Sequence, residues 1–413
     1  MLSCIAIETY IKTGETKSQR KGASMNNGTP HRAYKDRNLQ IIFGVTLMSV
    51  LGLTSIHPAF PGVKEALGVT DQQVGLLITA YALPGILSAP LVGILADKWG
   101  RGKVLTPSLL LFGIAGGACA LIGDFNLILL MRALQGIGGS ALGILNIAII
   151  GDLFSEERRI EAMGYNASVL NVGTGSFPLI GGALATFAWH YPFALPLMAI
   201  PIAIFVSTRL KSPEPLQSQD FREYSKKVLN ALKNHELLGA YIATALTFVM
   251  VYGSYITYFS ILLSNSFEVS PFWVGALTST MMWVSAFVSS QLGRITKYLP
   301  NKNLIKVAFI LYAIALAIIP FIRLLPLLLL PTAIFGIAHG INIPSIHTLL
   351  AEHSSLEYRG MTMSLNSIFI KGGQSLGPLL MGLAFSLGGL NSTFFLGAFI
   401  SIVAFISALY FLR

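Results

Sequence analysis

Long apolar stretches follow one another along the chain, separated by short polar segments. Twelve of them, of about 17 to 27 residues, lie between residues 39 and 411. At about 1.5 Å per residue, helices of this length cross a hydrocarbon core of about 30 Å. Since lipid offers the backbone no hydrogen-bond partner, each stretch predicts a transmembrane helix. The predicted helices span residues 39–60, 74–96, 104–123, 127–150, 162–187, 191–207, 237–263, 272–292, 304–322, 324–350, 361–387 and 393–411.

The second half of this pattern repeats the first. Residues 74–182 match residues 274–382 without a gap, at a constant offset of 200. The matched positions include Gly93 with Gly293, Asn166 with Asn366, and Pro178 with Pro378. Two similar membrane bundles are an arrangement that transporters use to move around a site between them. We therefore predict an all-α membrane protein of twelve transmembrane helices, built as two pseudo-symmetric six-helix bundles.

Polar segments precede and join the two bundles. We predict a cytoplasmic tail over residues 1–38, a first bundle over 39–207, a linker over 208–236 and a second bundle over 237–413. The linker contains one short amphipathic pattern, residues 221–232, which predicts a helix. The tail begins with an apolar run that is too short to span a membrane, and Met25 is an alternative start.

Composition indicates a membrane protein without metal chemistry. Hydrophobic residues make up 54% of the chain and charged residues 11%, and the mean hydropathy is +0.68, far from the values of a soluble domain. The two cysteines, Cys4 and Cys119, give neither a disulfide framework nor a metal-ligand spacing. We therefore expect no metal and no other cofactor.

Positive charges predict the orientation of the helices, because cytoplasmic loops are enriched in Lys and Arg. With both termini in the cytoplasm, all 28 of these residues lie on the cytoplasmic side except Lys64, Arg132, Arg323 and Lys371. Topology and anionic lipid thus account for the net charge of +10, and no nucleic-acid partner is expected. We predict a monomeric, multi-pass protein of the plasma or inner membrane, whose partners are the lipid bilayer and a small-molecule substrate.

The loop between the second and third predicted helices carries a specific motif. It runs Gly-Ile-Leu-Ala-Asp-Lys-Trp-Gly-Arg-Gly-Lys, and its defining residues are Gly93, Asp97, Gly100, Arg101 and Lys103. This pattern resembles the major facilitator superfamily, which implies the major facilitator fold and transport by alternating access. The resemblance also implies that Asp97 docks on the positive N-terminal end of the eleventh helix and stabilises the outward-facing state. Lys297 stands at the matching position of the second half, so this contact has no mirror image.

A second motif of the same family lies in the fourth predicted helix. Residues 132–140 read Arg-Ala-Leu-Gln-Gly-Ile-Gly-Gly-Ser, which is similar to the family pattern of Arg, two residues, Gln-Gly, one residue and Gly. Its glycines favour close helix packing rather than nucleotide binding, because no strand precedes them. Arg132 lies about five residues inside the membrane and is therefore a candidate functional residue, with outward snorkelling as the alternative.

The fifth predicted helix carries a third motif, which resembles the one that marks the exporter branches of the superfamily, mostly drug:proton antiporters. Its residues are Gly164, Gly173, Pro178, Gly181 and Gly182. Phe177 departs from the pattern, since the family has glycine there, whereas the mirror helix keeps it, with Gly373, Gly377 and Pro378. A purely structural role in helix packing and bending is the alternative interpretation.

Polar and aromatic stripes on four helices predict a central cavity. Polar side chains within membrane helices face a bundle interior or a water-filled cavity, and in the family's fold the first, fourth, seventh and tenth helices line the cavity. The candidates for cavity lining or coupling are Arg132, Gln135 and Asn146 on the fourth helix, His339 and Asn342 on the tenth, Tyr252 and Tyr255 on the seventh, and Lys371 on the eleventh. Aromatic packing is the alternative for the two tyrosines.

The predicted membrane interior holds no carboxylate, although the chain has 18 acidic residues. Lys371 lies about 15 Å deep, too deep for its side chain to reach water through lipid, so it needs a cavity, an anion or the loss of its proton. His339 is the candidate proton carrier, and a hydrogen-bonded packing residue is the alternative interpretation.

These features predict a secondary transporter that exports a small amphiphilic or drug-like solute by proton antiport, with the proton gradient as its energy source. The alternative within the fold is uptake or efflux of an organic anion through a cationic cavity. A polytopic membrane enzyme is disfavoured, because no Ser, His and acid constellation appears.

Overall fold

The computed structural model describes residues 33–210, 234–354 and 359–412. Most of the tail and linker, including Met25 and the predicted helix over 221–232, lies outside the described residues. In the first half, the helices are α1 (Arg37–Thr54), α2 (Phe60–Leu67), α3 (Asp71–Trp99), α4 (Arg101–Ala118), α5 (Phe125–Leu153), α6 (Glu156–Phe187) and α7 (Ala199–Arg209). Short 3₁₀ segments at Ala33–Lys35, His57–Ala59 and Tyr191–Met198 lie before or between them.

The second half repeats this order of elements. Its helices are α8 (His235–Met250), a π-helix at Val251–Tyr258, α9 (Phe259–Phe267), α10 (Pro271–Ser290), α11 (Leu292–Ile295), α12 (Asn301–Ile318), α13 (Leu329–Glu352) and α14 (Arg359–Phe411), with 3₁₀ segments at Ile319–Phe321 and Leu325–Leu328. All of the secondary structure over the described ranges is helical.

Ten stretches of the described chain are long and apolar enough to cross a membrane. The last of them, Met361–Phe411, consists of two helical arms that meet at Gly389, where φ is 73°. The Ser392 hydroxyl donates a hydrogen bond to the carbonyl of Ala384, which lies eight residues earlier, at 2.5 Å. With these two arms and the 18-residue helix α4, the structure is consistent with the twelve predicted helices.

Most long helices begin one to six residues before the apolar stretches that predicted them, and polar residues cap several of these starts. Asp36 accepts a hydrogen bond from the backbone N–H of Asn38 at the start of α1. Thr70 and Gln73 form a reciprocal capping box at the start of α3. Asp124 caps α5 in the same way, by accepting from the N–H of Leu127. The helices therefore extend past the hydrocarbon core into the polar layers.

Packing within each half is repeated in the other half. Gly136 of α5 lies directly against the backbone of Tyr81 in α3, and Gly336 of α13 lies against the backbone of Met281 in α10, at the same offset of 200. A side chain at either glycine would separate the two helices, because its Cβ would meet a carbonyl oxygen. A polar pair is repeated as well: Asn166 accepts from Thr46 (2.5 Å), and Asn366 accepts from Thr244 (2.8 Å).

Candidate functional site

Two mirrored interfaces join the halves. At the first, α3 packs on the first arm of α14, where Gly75 lies against Pro378 and the Thr79 hydroxyl donates to the carbonyl of Ser375 at 2.9 Å. At the second, α6 packs on α10, where Gly275 lies against Pro178 and the backbone N–H of Leu179 donates to the Ser279 hydroxyl at 3.1 Å. Gly75 and Gly275, Pro178 and Pro378, and Thr79 and Ser279 are all related by 200 positions.

These contacts lie near one end of the helices, which we call the distal end; the opposite end, which carries Arg101 and Arg294, is called the basic end. The face of α3 that meets α14 shows how the halves diverge. Thr79 and Ala82 are buried, whereas Pro90 and Asp97, further along the same face, are exposed. The space between the halves is therefore closed at the distal end and opens toward the basic end.

The loop motif lies at this open end. Gly100 has a φ of 96°, a conformation that glycine adopts without strain, and it turns the chain between α3 and α4. Arg101 forms an ion pair with Asp152 at the end of α5 (2.5 Å). Asp97 and Lys103 are exposed, and a Cβ at Gly93 would have no neighbour within 4 Å. Among the described residues Asp97 forms no hydrogen bond or ion pair, so its docking on the eleventh predicted helix stays a prediction.

Sequence analysis missed the ion pair of Arg101. Asp152 ends a long apolar helix, and its partner lies 51 positions earlier in the chain. The only sequence signal was an acid at the edge of the membrane beside a basic loop. The pair connects α4 to α5 and fixes the loop motif within the first half.

Arg132 is fully buried inside the first half. Its guanidinium donates to the carbonyl of Leu77 (3.3 Å), to the carbonyl of Gly52 (2.9 Å) and to the side-chain oxygen of Gln135 (2.5 Å). It also lies over the ring of Tyr81, 4.7 Å from the centroid. In this conformation Arg132 and Gln135 join α1, α3 and α5 and do not form a cavity wall.

The candidate asparagines make buried contacts between helices. The Asn146 amide donates to Thr46 (2.7 Å) and its oxygen accepts from Asn166 (3.1 Å), which closes a triangle among α1, α5 and α6. In the second half, the Asn342 amide donates to Thr247 at 2.8 Å. Both asparagines thus contribute to the interior of their own half in this conformation.

Tyr252 and Tyr255 both lie in the π-helix, a rare structure that often marks functional positions. The Tyr255 hydroxyl donates to Thr332 (3.1 Å), and its ring stacks on Phe335 with a centroid distance of 4.4 Å, so it is part of a buried aromatic cluster. The ring of Tyr252 stacks on Phe248 at 6.1 Å.

His339 is half-buried, next to the same aromatic cluster. Its Nδ1 forms a hydrogen bond with the Tyr312 hydroxyl at 2.8 Å, and its ring packs edge-on against Phe248 at 6.4 Å. His339 and Asn342 are the two candidates on α13. His339 keeps accessible surface, whereas Asn342 is fully buried.

The glycines of the exporter-like motif, with one exception, pack against neighbouring helices. The contacts are Gly173 with Leu47 and Val50, Gly181 with Ser55, Gly182 with Gly275, Gly373 with Ala245, and Gly377 with Val249 and Gly253. Gly164 is the exception, because a Cβ there would have no neighbour within 4 Å. It lies toward the basic end of α6, where the halves diverge, so its predicted packing role is not seen in this conformation.

Lys371 is the candidate that crosses from one half to the other. A Cβ at Gly85 of α3 would lie 3.2 Å from the Lys371 Nζ and 3.2 Å from the carbonyl oxygen of Gly136 in α5. The Lys371 side chain, which belongs to α14, thus packs against two glycines of the first half. Across the described ranges, no carboxylate lies within 4 Å of this ammonium group.

Comparisons with known proteins agree with this architecture. The family model of the Major Facilitator Superfamily matches residues 42–353 and 246–413. Multidrug resistance protein 2 of Bacillus subtilis is 24% identical over 370 residues, which are 88% of this chain and 92% of that protein. Quinolone resistance protein NorA of Staphylococcus aureus is 23% identical over 85% of this chain and 90% of its own length.

A solved structure gives the same result for the fold. The inward-facing, occupied crystal structure of a bacterial homologue of the human lysosomal transporter Spinster superposes with a TM-score of 0.77 at 19% identity, over 94% of this chain and 98% of that chain. The family match, which spans nearly the whole membrane part, confirms the resemblance carried by the three motifs. The chain therefore belongs to the Major Facilitator Superfamily, and it is a multi-pass membrane transporter rather than an enzyme.

Proposed function

We propose that the chain is a secondary active transporter that exports small amphiphilic or drug-like solutes by proton antiport. The observation that carries alternating access is the pair of mirrored interfaces, Gly75 with Pro378 and Gly275 with Pro178, which close one end of the molecule only. Export is supported by the multidrug and quinolone resistance proteins to which the chain is similar.

The distribution of positive charges supports an orientation with the basic end and both termini in the cytoplasm. In this orientation the structure is the inward-facing state of a protein in the plasma or inner membrane. Solute enters from the cytoplasm or the inner leaflet, and the halves then close over it at the basic end. Docking of Asp97 at the start of α14 stabilises the closed basic end.

His339 is the proposed proton carrier. It is half-buried on α13, and its hydrogen bond to Tyr312 fixes the orientation of the ring. An imidazole exchanges protons near neutral pH without a carboxylate. The protein works as a monomer on a small-molecule solute within the lipid bilayer, and the proton gradient replaces any cofactor as the energy source.

Proteoliposomes test this function directly. Purified protein is reconstituted with a pH-sensitive dye in the lumen, and a proton gradient is imposed before norfloxacin or ethidium is added outside. Antiport predicts solute accumulation that requires the gradient, together with solute-dependent proton release. His339→Gln should uncouple the two fluxes, whereas His190→Gln, a histidine outside the space between the halves, serves as the control. Solute movement that is equally fast without a gradient would contradict proton coupling.

A further inference from the structure

We propose that Lys371 is the recognition point for an anionic head group, so that the transported solutes are amphiphiles carrying a carboxylate. This inference rests on the proposed function and specifies the class of its substrates. The two cationic side chains deep in the predicted membrane region, Arg132 and Lys371, differ in the groups that surround them, and the proposal rests on this difference.

Arg132 is not accessible to a solute in this conformation. Its guanidinium donates to Leu77, Gly52 and Gln135, lies over the ring of Tyr81, and has no exposed surface. The positive charge of Arg132 is thus already compensated by carbonyl oxygens and an aromatic face.

Lys371 is in the opposite situation. Its ammonium carries three donors and forms no hydrogen bond or ion pair with any described residue, and the side chain keeps some accessible surface. An ammonium group is strongly hydrated, so a position this deep in the membrane is stable only with water or with an anion. None of the described residues supplies a carboxylate there, which leaves the position open for one from the solute.

The surroundings of Lys371 match the rest of such a solute. Gln374 lies one helical turn further on the same face of α14 and is close to the Tyr252 hydroxyl, so an amide and a phenol stand next to the ammonium. The stacked rings of Tyr252 and Phe248 extend this surface and offer contact to an apolar or aromatic body. A bare ammonium beside aromatic rings favours an aromatic carboxylate over a lipophilic cation.

Gly85 positions the ammonium. Because glycine lacks a Cβ, the Nζ of Lys371 approaches α3 to a place where a methyl group would lie only 3.2 Å away. Gly85→Ala would displace the flexible end of Lys371 and leave the charge of the cavity unchanged. The same methyl group would lie 3.2 Å from the carbonyl oxygen of Gly136, so the affinity for the neutral probe reports any shift of α3 against α5. The variant therefore tests whether binding depends on where the ammonium lies, since the charge itself is kept.

Equilibrium binding to purified protein in nanodiscs of zwitterionic lipid tests the proposal, since anionic lipid cannot then occupy the site. Three probes of similar size are compared: 2-naphthoate, the neutral 2-naphthalenemethanol and the cationic 2-naphthylmethylammonium. In the wild type, naphthoate should bind about tenfold more tightly than either of the others. Lys371→Ala should remove this preference and leave the affinity for the neutral probe within about twofold, while Lys371→Arg should retain it.

Matched controls decide between recognition and a structural role. Arg323→Ala removes an exposed positive charge, and Gly143→Ala adds a methyl group where no atom lies within 4 Å, so neither should change the preference. Gly85→Ala should weaken the binding of naphthoate more than that of the neutral probe. If Lys371→Ala does not fold, this variant is the one that tests the proposal. Equal loss of the anionic and neutral probes, or tighter binding of the cationic probe to the wild type, would overturn the proposal.

Binding is measured without a gradient, so the result is independent of transport direction and coupling. Naphthoate binding that depends on Lys371, without proton movement in proteoliposomes, would support the anion site and contradict proton antiport. Gradient-driven export of ethidium, without a preference for naphthoate in the binding assay, would support the exporter function and contradict the anion site.

Discussion

At the scale of single residues, the protein separates its two deep cations by the groups that surround them. Arg132 is held by three acceptors from three helices, whereas Lys371 reaches across to two glycines of the other half. A planar guanidinium with five donors suits the first position, and a compact ammonium suits the second. The first cation therefore supports structure and the second is available for recognition.

Arg132→Lys tests the first assignment. Lysine keeps the charge but cannot reach Leu77, Gly52 and Gln135 together, so at least one buried acceptor loses its partner, at a cost of about 1 to 3 kcal/mol. We expect initial transport rates to fall well below those of the wild type in Arg132→Lys and further in Arg132→Ala, measured in the same proteoliposomes at matched protein density. Near-normal transport by both variants would show that this hydrogen-bond network is dispensable.

The triangle of Thr46, Asn146 and Asn166 gives a second prediction. Asn166→Ala removes the oxygen that accepts from the Thr46 hydroxyl and the amide that donates to the Asn146 oxygen. Thr46 and Asn146 are both buried, so we expect the free energy of unfolding to decrease by about 1 to 3 kcal/mol. The measurement is thermal or denaturant unfolding in detergent, with Ser168→Ala, an exposed position on the same helix, as the control. The same stability in both variants would be evidence against the triangle.

The sequence identified these residues but not their partners. The spacing of Arg132, Gln135 and Asn146 correctly predicts that they share one face of a helix. It could not show whether that face meets a cavity or the interior of one half, since polar stripes are typical of both. The partners of Arg132 lie 55 and 80 positions away in the chain, and only the tertiary arrangement brings them together.

At the scale of helices and their interfaces, small residues determine how closely the halves meet. Gly275 leaves no room for a side chain against the carbonyl of Pro178, and a Cβ at Gly75 would lie only 3.2 Å from the ring of Pro378. Proline adds a second effect, since its missing N–H bends the helix at the contact. The two interfaces together hold the distal end closed.

Gly275→Val tests this role. Its side chain would meet the backbone of Pro178, which cannot move away as a flexible side chain does, so the distal interface should open and the population should shift toward the state with a closed basic end. Accessibility of single cysteines at the distal end to a membrane-impermeant thiol reagent measures the shift. Gly293→Val is the control, because no atom lies within 4 Å of that position. Unchanged accessibility in Gly275→Val would contradict the proposed role.

Helices were largely predictable from the chain, whereas their irregularities were not. The apolar stretches and the repeat located every long helix, because lipid permits no other backbone arrangement. The π-helix at Val251–Tyr258 left no signal, since it changes the register without changing the composition. The predicted loop at 388–392 is a turn centred on Gly389, because a single glycine with positive φ joins the two arms.

At the scale of the whole molecule, the proposed alternating access requires two states, and the structure corresponds to the one with an open basic end. The halves meet at the distal end and diverge toward the basic end, where Asp97 is exposed. The mirrored interfaces indicate how the other state arises, because two similar bundles can rotate about contacts of the same kind. A carboxylate at a helix N-terminus contributes about 1 kcal/mol, enough to change the ratio of the two states by about fivefold.

Distances between paired spin labels test this account most directly. In a background of Cys4→Ser and Cys119→Ser, one pair is placed at Ser168 and Ser290 on the basic side, and a second pair at the exposed loop residues Leu121 and Phe321 on the distal side. We predict that added solute and a change of pH shorten the basic distance and lengthen the distal one. We also predict that Asp97→Asn lowers the ratio of the short-distance to the long-distance population on the basic side about fivefold. Distances that change in the same direction at both ends, or distributions that Asp97→Asn leaves unchanged, would contradict alternating access stabilised by Asp97.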